Sequence, residues 1–304
     1  MSAGHLLHPV GGQAVADAPL AWALMVGGAL LFAGVMALLA WAVAGPARPV
    51  SPRRWIVGGG LLLPLAVLGP LQVANLQHLR AAAPPPAWVV GVSGRLWWWE
   101  LRLTDPRSGA QLHTANELHL PVGQPVRLAL ASDDVIHSLW VPALGGKLDL
   151  VPGRLQHLVL QADQPGTWRG PCAEFCGTGH ARMVLQVVSD TPQAFDAWLH
   201  HQAQPARMPQ TGLQQRGLQH FTALRCGACH TVRGVSTATL SGPDLTHLAS
   251  RQHLGAGTVR NDAAGLRAWL TGVQQLKPGA RMPSFDHLDA ATLDALVAYL
   301  ASLE

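Results

Sequence analysis

Apolar residues run almost continuously through the first quarter of the chain and break into short alternating stretches beyond about residue 86. Ala21 to Ala44 carries no charged side chain and predicts about 36 Å of helix, enough to cross a bilayer. A second apolar stretch runs from Trp55 to Leu71 and continues more weakly towards Leu79. Arg48, Arg53 and Arg54 lie between the two, which makes that loop the cytoplasmic side and puts both termini, and everything after Arg80, outside the cytoplasm. A cleaved leader needs a basic start and a shorter apolar run; neither is present, so the first segment reads as a retained helix. Gly58 to Gly60, Pro64 and Pro70 suit a membrane helix whose neighbours satisfy the freed backbone groups, so the second span is expected to have a helical partner.

A Pro-rich linker, Ala81 to Pro86, precedes the change to a period of two. Val126, Leu128 and Leu130 alternate with Arg127 and Ala129, and Met183, Leu185 and Val187 alternate with Val184 and Gln186. Turn clusters at Pro152-Gly153 and Gln164-Pro165-Gly166 separate such runs, so Trp88 to about Ser189 predicts an antiparallel β-sandwich or barrel. From Thr191 the pattern is helical, Gln202 to Gly212 with Pro205 and Pro209 forms a linker, and an all-α region follows. Its last helix places Leu293, Leu296, Val297 and Leu300 on one face, with Asp289 as N-cap. The expected divisions are residues 1–87 with membrane helices at about 21–44 and 55–79, an all-β domain at 88–190, a linker at 191–211 and an all-α domain at 212–304.

At 304 residues the chain accommodates two soluble domains besides its membrane segments. The formal charge is +4, but the basic residues form no run and no basic helix with interleaved aromatics, which excludes nucleic-acid binding. There is no nucleophile triad, phosphate loop or acid–base pair. Fifteen histidines make most of them bystanders, and His220, His247, His253 and His287 are read as solvated. Four cysteines fall in two close pairs, Cys172 with Cys176 and Cys226 with Cys229.

Cys226 to His230 reads C-x-x-C-H, in which two thiols attach haem covalently and the adjacent imidazole faces the iron. A zinc knuckle needs a second ligand pair and a thioredoxin-like site needs a βαβ pattern; neither context exists. Met282, on a loop ahead of the last helix, is the expected opposite axial ligand, with Met208 the alternative. The region resembles a class I cytochrome c: Gly217 and Phe221 match the N-terminal helix that packs on an aromatic of the last helix, here Tyr299, and Gly242-Pro243-Asp244-Leu245 also fits. That resemblance implies that the Pro243 carbonyl fixes the imidazole of His230.

The other pair lies in Cys172-Ala-Glu174-Phe-Cys176-Gly-Thr-Gly-His180-Ala-Arg-Met183, whose thiolates, imidazole and thioether together suit copper. Two thiolates four residues apart can bridge a pair of copper ions, and His137 at the end of an apolar strand is the expected second imidazole. The competing readings are a disulfide for the cysteines and a satisfied core residue for His137. With Trp97-Trp98-Trp99-Glu100, His137-Ser138, Lys147-Leu-Asp149 and Pro152-Gly153 in order, residues 20 to 190 resemble subunit II of haem–copper oxidases. The appended domain extends that resemblance to the fused subunit II of caa3-type cytochrome c oxidases.

The resemblance implies a cupredoxin-like β domain holding the dinuclear centre CuA through His137, Cys172, Cys176, His180, Met183 and the backbone carbonyl of Glu174. It further implies a magnesium ion near the Glu174 carboxylate and electron arrival near Trp97. The partners implied are subunits I and III, membrane lipid and a cytochrome c or other donor, in a bacterial plasma membrane with both metal domains outside. One departure concerns proton translocation: many family members carry a Glu near the cytoplasmic start of the second membrane helix, whereas this region reads Ser51-Pro-Arg-Arg-Trp55 and the first Glu is Glu100. Service to a nitric oxide reductase is the first alternative, and a free-standing tethered electron carrier or copper-binding protein the second.

Overall fold

In the computed structural model, residues 9–46, 49–80, 86, 88–237 and 241–304 are described, with backbone alone at 77–80. Arg48 and most of the Pro-rich linker, 81–85, lie outside the described residues. The chain divides into two compact bodies, one of residues 19–85 and one of 1–18 with 86–304.

The smaller body is helical. α1 (Gly12–Ala44) begins well ahead of Ala21 and takes Pro19 into its interior. α2 (Pro52–Arg54) leads into a π-helical stretch, Trp55–Leu62, and then α3 (Leu63–Arg80). The widened turns fall on Gly58 to Gly60, where the sequence offers no side chains to pack. Gly12–Ala44 and Pro52–Leu76 are both long and apolar enough to cross a membrane. Their large apolar side chains, Phe32 and Leu30 among them, face outward, an arrangement that lipid satisfies and water does not.

Among the described residues, ten strands run from Trp88 to Asp190 in the larger body. One sheet has the order β3 (Gln111–Ala115), β2 (Trp98–Thr104), β1 (Trp88–Arg95), β5 (Val126–Ser132), β8 (Gln156–Leu160). Neighbours are antiparallel except β1 with β5, where Val90 pairs with Leu128 in parallel register. A second sheet orders β4 (Glu117–Pro121), β10 (Val184–Asp190), β9 (Gly166–Pro171), and β6 (His137–Trp140) with β7 (Lys147–Leu150) forms a separate ladder. Val126, Leu128 and Leu130 point into the core between the sheets as their alternation predicts, with Trp99 and Leu101 fully buried beside them.

On β10 the outcome differs. Met183, Leu185 and Val187 are buried, but so are Val184 and Gln186, because the C-terminal region covers the second face: Val184 N–H donates to Ala256 O and the Gln186 side chain meets His253. α4 (Pro192–Ala203), capped by the Thr191 hydroxyl, inserts Phe195 and Leu199 into the sandwich core, Phe195 edge-on to Trp88.

The helical region comprises α5 (Gly212–Ala223), α6 (Ala263–Leu276) and α7 (Ala290–Leu300), with a small ladder, β11 (His253–Leu254) and β12 (Val259–Arg260). α5 starts with a capping box between Thr211 and Gln214, and α7 with the Asp289 cap. α5 crosses α7 with Phe221 edge-on to Tyr299 at 5.6 Å. His247 is a correction to the sequence-based expectation of solvation: it is buried, its Nε2 bonded to Gln204 O and its ring against His201.

Candidate metal and cofactor sites

The first site sits at one end of the sandwich. β6 delivers His137, fully buried, and the loop between β9 and β10 delivers Cys172 through Met183. The two Sγ atoms lie 3.8 Å apart, nearly twice the length of a disulfide bond, and both thiols are free. His137 Nδ1 is 4.0 Å from Cys172 Sγ, and His180 Nδ1 is 3.6 Å from Cys176 Sγ. Met183 Sδ lies 3.9 Å from Cys176 Sγ, and the Glu174 carbonyl 3.3 Å from Cys172 Sγ.

These spacings bear directly on the disulfide reading and the metal reading. With ligand bonds of about 2.0–2.3 Å, the edges of a tetrahedral site run to about 3.3–3.8 Å, and the donor separations fall close to that range. Each thiolate has one imidazole and one weaker donor beside it, so the set divides into two similar halves with the sulfurs between them, a fit for two soft-ligand copper ions. The thiols share their charge: the Cys176 thiol donating to it holds Cys172 down at about 3, while the adjacent thiolate and burial push Cys176 up. Cations between the sulfurs would remove the repulsion that keeps the second proton.

Asp134 supplies what the sequence reading missed. Its carboxylate bonds His137 Nε2 at 2.8 Å and its other oxygen accepts from Leu96 N–H, which fixes the imidazole with Nδ1 towards the sulfurs. The signal was present, an Asp three residues ahead of the His, but Asp is common in turns.

The second site is an apolar cavity of about 440 Å³, within the range that takes a cofactor-sized molecule. Cys226, Cys229 and His230 line it, as does Met282, whereas Met208 is absent from the lining and is 63% exposed. His230 Nδ1 bonds Pro243 O at 2.8 Å, leaving Nε2 for an iron. Gly242 is required there, since a Cβ would stand 2.7 Å from the His230 ring. Behind it the buried Arg251 donates to Asp244 O. Thiols, imidazole and thioether around one apolar space fit a covalently held haem.

Trp97 borders both sites. Its Nε1 donates to Cys176 O at 2.7 Å, and its ring lines the cavity. A Cβ on Gly179 would overlap that ring, standing 2.6 Å from its Cγ and Cε3 and closer still to Cδ2, and one on Gly279 would stand 3.1 Å from its far edge. The indole is thus packed between the Cys176 loop and the Met282 loop.

Residues 100–190 match the family profile of the cytochrome c oxidase subunit II periplasmic domain, and residues 214–304 that of cytochrome c. Cytochrome c oxidase subunit 2 of Bacillus sp. (strain PS3) is 30% identical over 258 residues, covering 80% of this chain and 71% of that protein. The chain belongs to the cytochrome c oxidase subunit 2 family. The subunit 2 of Alkalihalophilus pseudofirmus is 37% identical over 215 residues, 71% of this chain, and the match spans 61% of that relative's length. The solved periplasmic domain of subunit II of the cytochrome oxidase of Bradyrhizobium japonicum is 26% identical, with a TM-score of 0.37, covering 40% of this chain and 96% of that one. The subunit 2 domain carries copper and the cytochrome c domain haem, which assigns the chain to electron transport. The family's periplasmic domain and two apolar helices describe a membrane protein with an extracytoplasmic domain.

Proposed function

We propose that this chain is the electron-input subunit of a caa3-type cytochrome c oxidase. An external donor reduces one haem c held by Cys226, Cys229, His230 and Met282. The electron then passes to a CuA pair held by His137, Cys172, Glu174 O, Cys176, His180 and Met183, and on to subunit I, where dioxygen is reduced. On this reading residues 88–190 are the copper domain and 212–304 the cytochrome domain. The chain itself conducts and does no bond chemistry; its residues hold the centres rigidly, which keeps reorganisation small. The Glu174 carboxylate would meet magnesium at the subunit I interface.

The observation that carries the reading is Trp97, hydrogen-bonded to the Cys176 carbonyl and lining the cavity of His230 and Met282. One indole in contact with both loops is what a short route between two centres requires. EPR of the purified, copper-loaded full chain tests it: an unpaired electron shared over two coppers is expected, lost in Cys176→Ser, and a single-copper hyperfine pattern would sink the dinuclear assignment. The absence of any Glu before Glu100 leaves no carboxylate of that type for proton uptake through this subunit, and gas consumption by the purified complex separates dioxygen from nitric oxide as acceptor.

A further inference from the structure

Of the 21 Lys and Arg residues, nineteen are arginine, and the two lysines are Lys147 and Lys277. Lys147 is half exposed; Lys277 is 3% exposed. The Lys277 Nζ donates to Trp97 O at 2.6 Å, to Gly255 O at 2.7 Å and to Arg182 O at 2.8 Å. The three carbonyls come from the β1–β2 turn, the β11–β12 turn, and the short helix immediately before Met183. Two of them belong to the copper side and one to the haem side.

Three acceptors converging on one nitrogen need three N–H donors, which only the ammonium form provides. A guanidinium presents its donors in a flat fork and cannot turn them towards three separate directions. A lysine here, in a chain that elsewhere uses arginine at all but one basic position, therefore follows from the geometry. Burial pushes this ammonium down to about 7, and three carbonyl oxygens accept from it where water would otherwise do so.

We infer that Lys277 is a positioning residue that clasps the Met282 loop to the Trp97 turn and to the copper-ligand loop, and so sets the gap that electrons cross between the two centres. The inference rests on the haem and copper assignment above. Trp97 is gripped three ways: its carbonyl by Lys277, its Nε1 by Cys176 O, and its ring by Gly279, two residues beyond Lys277. The Met282 loop itself has separate support. Gln274 Nε2 donates to Ala280 O and Met282 O, both at 2.8 Å, and Gln274 Oε1 accepts from Gly279 N–H. Removing the clasp therefore loosens the junction while leaving Met282 in place. The step it governs moves one electron from reduced haem iron to the oxidised copper pair, with no proton and no bond exchanged.

The test uses the full chain in detergent, loaded with both centres, as Lys277→Met and Lys277→Gln, with Lys147→Met as the control. A photoexcited inorganic reductant injects an electron at the haem and the haem-to-copper rate is followed. The expected result is a severalfold fall in that rate, since electron transfer between two fixed centres weakens steeply as the gap between them widens. The copper EPR and the methionine–iron band should be unchanged, and so should the rate in the control. A rate within twofold of the unmodified chain, with both signals intact, overturns the clasp. Should the variants lose a centre, acetylation of the unmodified native chain decides: with only two lysines, mass spectrometry should find Lys147 modified and Lys277 protected until denaturant is added. Equal labelling of the two overturns the inference. Missing haem or copper signals in the unmodified chain would instead count against the functional assignment, and the labelling still reads the clasp.

Discussion

Replacing Gly217 by alanine sets two effects of opposite sign against each other. In an exposed helix interior the change gains about 1 kcal/mol from helix propensity. At this crossing of α5 and α7, however, the added Cβ would stand 2.5 Å from Tyr299 Cβ and 2.8 Å from the Ala295 carbonyl carbon, and closer still to that carbonyl oxygen. Carbon pairs rest at about 3.5–4.0 Å, so the helices must part by about 1 Å, and since the obstacles are backbone and a Cβ, no rotamer change relieves them. Overpacking of this kind costs about 1–3 kcal/mol; taking the upper end and subtracting the propensity gain leaves a net loss of about 2 kcal/mol. Gly212, in the first turn of the same helix, has nothing nearer than 3.9 Å to a new Cβ, so Gly212→Ala should be neutral or stabilising. Guanidinium unfolding of the full chain, followed by haem absorbance, reads both variants. Because Leu296 and Leu300 of α7 also line the cavity, the Gly217→Ala haem band should shift before unfolding. A Gly217→Ala midpoint at or above that of the unmodified chain would refute the packing argument.

Two further predictions concern one site each. Met282→Ala should abolish the methionine–iron charge-transfer band while leaving the haem covalently attached; an unchanged band would transfer the axial role to Met208. His119 is pushed down by burial, but its bonds to the Asp190 and Glu117 carboxylates outweigh this and hold its pKa above the ordinary value of 6.5. A folded-state value raised in this way contributes stability that is fully present below the unfolded value and lost as pH rises through the folded one. The gap between unfolding midpoints of the unmodified chain and His119→Gln should therefore be widest below the ordinary imidazole value and narrow as pH rises through the higher folded-state value; a gap independent of pH counts against the ion pairs.

What could be read in advance was what lies close together in sequence. Leu128 and Leu130 alternate with polar neighbours because one face of β5 meets the core and the other does not, and C-x-x-C-H and the Cys172 to Met183 cluster each gather their donors within a few turns of backbone. What stayed hidden was set by distant segments. The parallel pairing of β1 with β5, the burial of Val184 and Gln186 under residues 253–257, and the burial of His247 each depend on a partner that no local period announces. Phe195 and Leu199 stand at helical spacing in a stretch next to a linker, and only the packed structure reveals that they complete the sandwich core.

The same division applies to the electron route. Each centre is built around one short cluster that draws a further ligand from a second segment, and its spectrum reports its own ligands. The gap between the centres is built from contacts between residues 79 to 180 positions apart: Trp97 with Cys176, Lys277 with Trp97, and Lys277 with Arg182. Substitutions in the ligand clusters should therefore change spectra and rate together, whereas substitutions at the junction should change the rate alone. Spectra that move with Lys277 would mean that the two centres are not separately held, and the chain would have to be understood as a single coupled site rather than two sites joined through one indole.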